Sequence, residues 1–100
     1  ADRRRLSLVG IVPVALALTE KGALAADPEV DLIGIPELGK EGTSLADIAM
    51  DAVHETFESL PRPKRRDPDS VAEAVRRAVR SAVAQQWGKK PICHVHVLAV

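Results

Sequence analysis

Apolar and polar positions follow different periods in different parts of the chain. From Leu6 to Leu18 apolar residues occupy both alternating sets almost without interruption. Val9, Ile11, Val12 and Val14 are β-branched and fit a pleated surface, while Gly10 and Pro13 oppose a regular helix. This stretch predicts a strand, with Pro13 marking an edge strand or a bulge. Leu45, Ile48, Ala49, Ala52, Val53, Thr56, Phe57 and Leu60 then recur at i, i+3, i+4 and i+7, which makes one helical stripe. Ser44 is its expected N-cap with Asp47 three residues on, and Pro61 stops it. A second helix starts at Asp67 or Ser70, carries Val71, Val75, Ala78, Val79, Ala82, Val83 and Gln86 inward, and stops at Gly88. After Lys89-Lys90-Pro91, the run from Ile92 to Val100 reads as a last strand.

The first apolar run admits two readings. Arg3-Arg4-Arg5, the apolar stretch and the small residues Ala23 to Ala26 look like an export leader. Thr19-Glu20-Lys21-Gly22, however, is a poor cleavage region and a good turn, because Gly22 can take a positive φ. Asp27-Pro28 bends the chain again before Val30 to Ile35, so an interrupted second strand can return along the first. The terminal strand favours this hairpin. Without the first run, Ile92 to Val100 would have at most one short partner for its backbone groups.

The expected order is therefore β-β-α-α-β. The fold class is α+β: a two-layer sandwich with a three-stranded sheet and two helices on one face. Residues 1–100 are read as a single domain, a C-terminal piece of something longer. Leu6, Leu8, Val12, Leu16, Leu45, Ile48, Val53, Phe57, Val75, Val79 and Val83 are the expected core. Both parities of the first and last strands are apolar, whereas a sheet with one wet face alternates. The second face should therefore meet a neighbour. Val9, Ile11, Val95 and Val97 are the expected interface positions.

Composition adds constraints. The core must be built from aliphatic residues, since Phe57 and Trp87 are the only aromatics. A single cysteine, Cys93, excludes an internal disulfide. Charge is polarised: Glu20 to Glu58 holds ten acidic and two basic residues, and Arg62 to Val100 holds nine basic and three acidic. Such a dipolar chain points to complementarity within the fold or between copies. Arg62, Lys64, Arg65, Arg66, Arg76, Arg77 and Arg80 are candidate RNA backbone contacts, but the strands offer no aromatic platform for bases. His94 and His96, with Cys93 beside them and His54 on a helix, have metal-ligand chemistry. They match no zinc-finger or HExxH spacing, and are read as polar rim or hydrogen-bonded buried groups. No Ser-His-Asp order and no phosphate-binding glycine loop is present, so no catalytic, cofactor or metal residue is assigned.

Arg5-Leu6-Ser7-Leu8 through Leu18, the turn at Gly22, and Asp27-Pro28-Glu29-Val30-Asp31-Leu32-Ile33-Gly34 together resemble the C-terminal domain of bacterial ribonuclease J. So do Val71 to Arg80 and Trp87-Gly88-Lys89-Lys90-Pro91. The resemblance implies a small α/β module that helps a cytoplasmic RNA-degrading enzyme form dimers and tetramers. That enzyme class belongs to the metallo-β-lactamase superfamily and has 5′-to-3′ exonuclease and endonuclease activity. Its two zinc ions would sit in a core that precedes this region. The implied partners are a second copy, the catalytic core of the same chain, and RNA for the parent, with no membrane. The alternative is a stand-alone RNA-binding module using the basic connector and second helix.

Overall fold

A computed structural model describes residues 10–100 of the chain. The expected interface residue Val9 and the expected core residues Leu6 and Leu8 lie outside the described residues. Strand β1 runs Ile11–Leu18 and β2 Glu29–Val30. Helix α1 spans Leu45–Ser59, the single turn α2 Arg62–Arg65, and α3 Pro68–Trp87. Strand β3, Ile92–Ala99, comes last. The predicted β-β-α-α-β order holds, with the basic connector wound into one extra turn.

The sheet order is β2-β1-β3. β1 pairs antiparallel with β2 and parallel with β3, in continuous register from Ile11↔Ile92 to Leu18↔Ala99. The two ends of the sequence therefore lie side by side. A parallel neighbour requires a crossover, and the helical segment supplies it.

Pro13 predicts an edge strand or a bulge, but β1 is the central strand. The proline nitrogen is turned toward β2, where the Pro13 carbonyl accepts from the Asp31 N–H at 3.0 Å. Proline has no N–H to return the bond. The ladder is interrupted there, so β2 is only two residues long and pairing resumes at Ile33, which exchanges both bonds with Ile11. The cost of the proline falls on the neighbouring strand.

Each helix begins and ends where local chemistry dictates. Ser44 Oγ accepts from the Asp47 N–H at 3.3 Å. Asp67 caps α3 by accepting from the Asp69 N–H, and the Ser70 hydroxyl donates to its other carboxylate oxygen at 2.7 Å. Pro68 occupies the first helical position, where a missing N–H costs nothing. Gly88, at φ +86°, closes α3 in the left-handed conformation.

Both long helices cover one face of the sheet. Val71, Val75, Val79 and Val83 recur every four residues on α3 and are all fully buried. They form a single ridge against Val12, Val14, Leu16, Leu18 and Cys93 below and Val53 and Phe57 of α1 beside them. Burying an aliphatic side chain of this size contributes roughly 1.5–3 kcal/mol. Val12, Leu16, Leu45, Val53, Phe57, Val75, Val79 and Val83 are buried as expected, whereas Ile48 is only half-buried at the rim of α1.

Candidate functional site

The face of the sheet turned away from the helices carries no other element among the described residues. Paired residues point to the same side, so the register assigns its rows. Ile33, Ile11 and Ile92 form an apolar row at one end. Next come Asp31, Pro13 and His94, then Glu29, Ala15 and His96. Ala17 and Leu98 close the other end. Ile33, Ile92 and Leu98 are about half exposed, at 51%, 46% and 54%. Pro13, Ala15, Glu29, Asp31 and His96 line a hollow of about 590 Å³ together with Met50 of α1. Acidic groups therefore line the β2 side and imidazoles the β3 side.

Of the expected interface residues, Ile11 lies on this face. Val95 and Val97 do not: they are half-buried and pack against the core cluster. The parallel register is the reason, because it pairs Val95 with Val14 and Val97 with Leu16, both on the helix side. The open-face residues of β3 are Ile92, His94, His96 and Leu98. Sequence alternation separates the two sets correctly, but does not tell which set shares a side with Ile11.

The same alternation places Cys93 on the opposite face from His94 and His96. Cys93 is buried, and burial pushes its thiol up to about 11, partly offset by the Arg76 charge. Among the described residues no group of three or more His, Cys, Asp or Glu side chains is placed to hold a metal ion. His54 sits on α1, near Phe57, Glu58 and Arg62.

The candidate RNA contacts divide into three groups. Arg65 is a structural residue: its Nε donates to the Leu60 carbonyl at 2.8 Å, Nη2 donates to the Glu58 carbonyl at 2.6 Å, and its guanidinium lies 5.4 Å from the Phe57 ring centroid. It closes the C-terminus of α1, whose last carbonyls have no helical partner. Arg62, Lys64 and Arg66 are exposed around α2. On α3, Arg76 and Arg77 both engage Glu73 at 2.8 Å. Their hydrogen bonds hold the Glu73 carboxyl down at about 2, and Glu73 raises Arg76 further in return. Arg76, Arg77, Arg80 and Lys90 line a groove of about 470 Å³ along the flank of α3. No helix of the described residues is long and apolar enough to cross a membrane.

The fold is a small open-faced α+β sandwich, with one face of its three-stranded sheet packed on helices. Residues 1–100 match the family described as the ribonuclease J C-terminal domain. The chain is also 46% identical over 99 residues to the protein named ribonuclease J from Sinorhizobium meliloti (strain Sm2011 / Rm2011 / 2011), a match that takes in 99% of this chain and 18% of that relative. The chain thus belongs to the ribonuclease J C-terminal domain family, and spans under a fifth of the length of the relative it matches.

Proposed function

We propose that this chain is the assembly domain of a ribonuclease J-like enzyme, joining copies of the parent into dimers or tetramers. In this reading the parent degrades and processes RNA by 5′-to-3′ exonuclease and endonuclease action in the cytoplasm. Two zinc ions would belong to its catalytic core, and this domain would be non-catalytic by itself. The observation that carries the reading is the sheet face that no other element covers among the described residues. Ile33, Ile92 and Leu98 stand on it about half exposed and Ile11 is partly buried among them, while the core positions behind are sealed by helices. Water is a poor environment for the isoleucine row at one end of this face.

Sedimentation velocity on the chain, from micromolar to millimolar, tests the reading. Self-association that is abolished by Ile92→Glu together with Leu98→Glu, with unchanged circular dichroism, supports it. A strictly monomeric chain at millimolar concentration refutes self-association as its role.

A further inference from the structure

We propose that the outer edge of β3 takes up an extended acidic peptide as a fourth strand of the sheet, with the peptide's carboxylates on the helix side against Arg76, Arg80 and Lys90. This surface is the edge of the sheet and not its face, so the inference stands or falls apart from the assembly reading.

The sheet order leaves β3 with one neighbour, β1, among the described residues. The Ile92 N–H donates to the Gly10 carbonyl and the Val100 N–H to the Leu18 carbonyl, both at 2.8 Å. Along a parallel ladder the bonded residues of each strand alternate. Ile92, His94, His96 and Leu98 therefore turn their backbone groups to β1, and Cys93, Val95 and Val97 turn theirs to the open edge.

The two edges of the sheet are built differently. β2 is two residues long, follows Pro28, and carries Glu29 with Asp31 just beyond it. Shortness, proline and charge are the usual guards of an exposed edge. β3 runs eight residues in unbroken register with β1 and holds no proline, lysine or carboxylate. An edge of that kind is a template for another strand.

The flank of α3 selects the occupant. This helix is joined to β3 by Gly88 to Pro91 alone, so it folds back along the strand it packs on. Leu60, at the end of α1, lies by Ser70 and Ala74 of α3. Helical spacing turns Arg76 and Arg80 away from these, toward β3, where the Arg76 charge reaches Cys93. Lys90 stands just before the strand and shares a groove with Arg80. Arg76 is paired with Glu73, whereas among the described residues neither Arg80 nor Lys90 has a carboxylate partner. Arg76 and Arg80 are one turn apart, about 6 Å along the helix. Every second residue of a strand faces the same side, about 6.6 Å from the last. An added strand with carboxylates at alternate positions presents them to the arginines in step, and its other side chains lie level with Ile92, His94, His96 and Leu98.

Two other occupants fit less well. A second copy paired β3 to β3 would bring two α3 flanks together, and like charges facing one another oppose it. A nucleic acid would satisfy the arginines, but it has no ladder of donors and acceptors to match the strand edge, and β3 has no aromatic side chain on which to stack a base.

Amide hydrogen exchange of the isotope-labelled chain, read by NMR, is the test. The probe is a capped peptide of about ten alternating glutamates and valines. In the chain alone the Val95 and Val97 amides should exchange freely while those of His94 and His96 are protected. Saturating peptide should slow Val95 and Val97 about tenfold or more. Protection of Val95 and Val97 without peptide would mean that the edge is already covered, and would overturn the proposal. Arg80→Glu with Lys90→Glu should weaken peptide affinity about tenfold, the order given by reversing several exposed ion pairs, and should confer binding of the same peptide with lysine in place of glutamate. N-methylation of one alternate set of peptide amides should abolish binding and methylation of the other should leave it, since only one set faces β3. A peptide left unbound at millimolar concentration, indifference to the charge reversal, or equal loss from both methylated peptides overturns this docking mode. Binding of an oligouridylate through Arg80 and Lys90 with no binding of the peptide would give the flank to nucleic acid and overturn it too.

Discussion

Replacing Arg65 by alanine separates a structural residue from a ligand-binding one. Its guanidinium donates to the carbonyls of Glu58 and Leu60 and lies over Phe57. The bond to Leu60 is partly shielded and the bond to Glu58 is exposed. At about 1 kcal/mol for the first and about half that for the second, plus roughly 0.5 kcal/mol for the ring contact, the loss comes to about 2 kcal/mol. For a domain of this size that lowers the melting temperature by roughly 8–16 °C. Arg65→Lys keeps a cation near the C-terminus of α1 but not the fork that reaches two carbonyls, so it should recover about half of the loss. Differential scanning calorimetry of the three proteins measures this. A melting temperature for Arg65→Ala within about 2 °C of the parent, together with weakened RNA binding, would refute the structural role and return Arg65 to the set of RNA contacts.

Two further outcomes follow from the packing. Gly22 sits at φ +81° with the backbone of Arg65 3.1 Å from where a Cβ would be, whereas Gly42, at φ +73°, has nothing within 4 Å of that position. Gly42→Ala should cost about 1–2 kcal/mol for left-handed backbone alone and Gly22→Ala distinctly more, as read by urea midpoints; equal costs would show that the turn does not press on α2. For Cys93, burial raises the folded thiol to about 11 from 9.0. The unfolded chain therefore ionises first, and stability is intact below pH 9 and lost as pH climbs from 9 through 11, by up to roughly 2–3 kcal/mol. Cys93→Ala should lack that decline. A thiol reagent at pH 8 should react roughly a hundredfold more slowly with the folded chain than with the urea-unfolded one, on thiolate content alone.

Much of the architecture was legible because local signals and burial agree here. The stripe from Leu45 to Phe57, Ser44, Pro61, Asp67 and Gly88 set the helices through spacing and capping, which act within one or two turns. Ile11–Leu18 and Ile92–Ala99 read as strands because they are aliphatic and β-branched. The candidate surface was legible only in part. An apolar second face was visible in the doubled parity of two strands, and Ile11 was placed on it. The rest required partners: Val95 and Val97 face inward, and Arg65 turns back to the end of the helix that precedes it.

Periodicity fixes which residues of one strand share a side, since successive side chains alternate whatever the neighbours are. It cannot align one strand with another, because that register is chosen by the packing of residues some eighty positions apart. The sequence alone therefore determined the elements, their order and the two sets of side chains on each strand. Only tertiary structure decided that β1 is central despite Pro13, that β3 runs parallel to it, and that Glu29 and Asp31 come to lie across β1 from His94 and His96. Those relations are non-local: each exists only when the crossover has brought the two ends of the chain together.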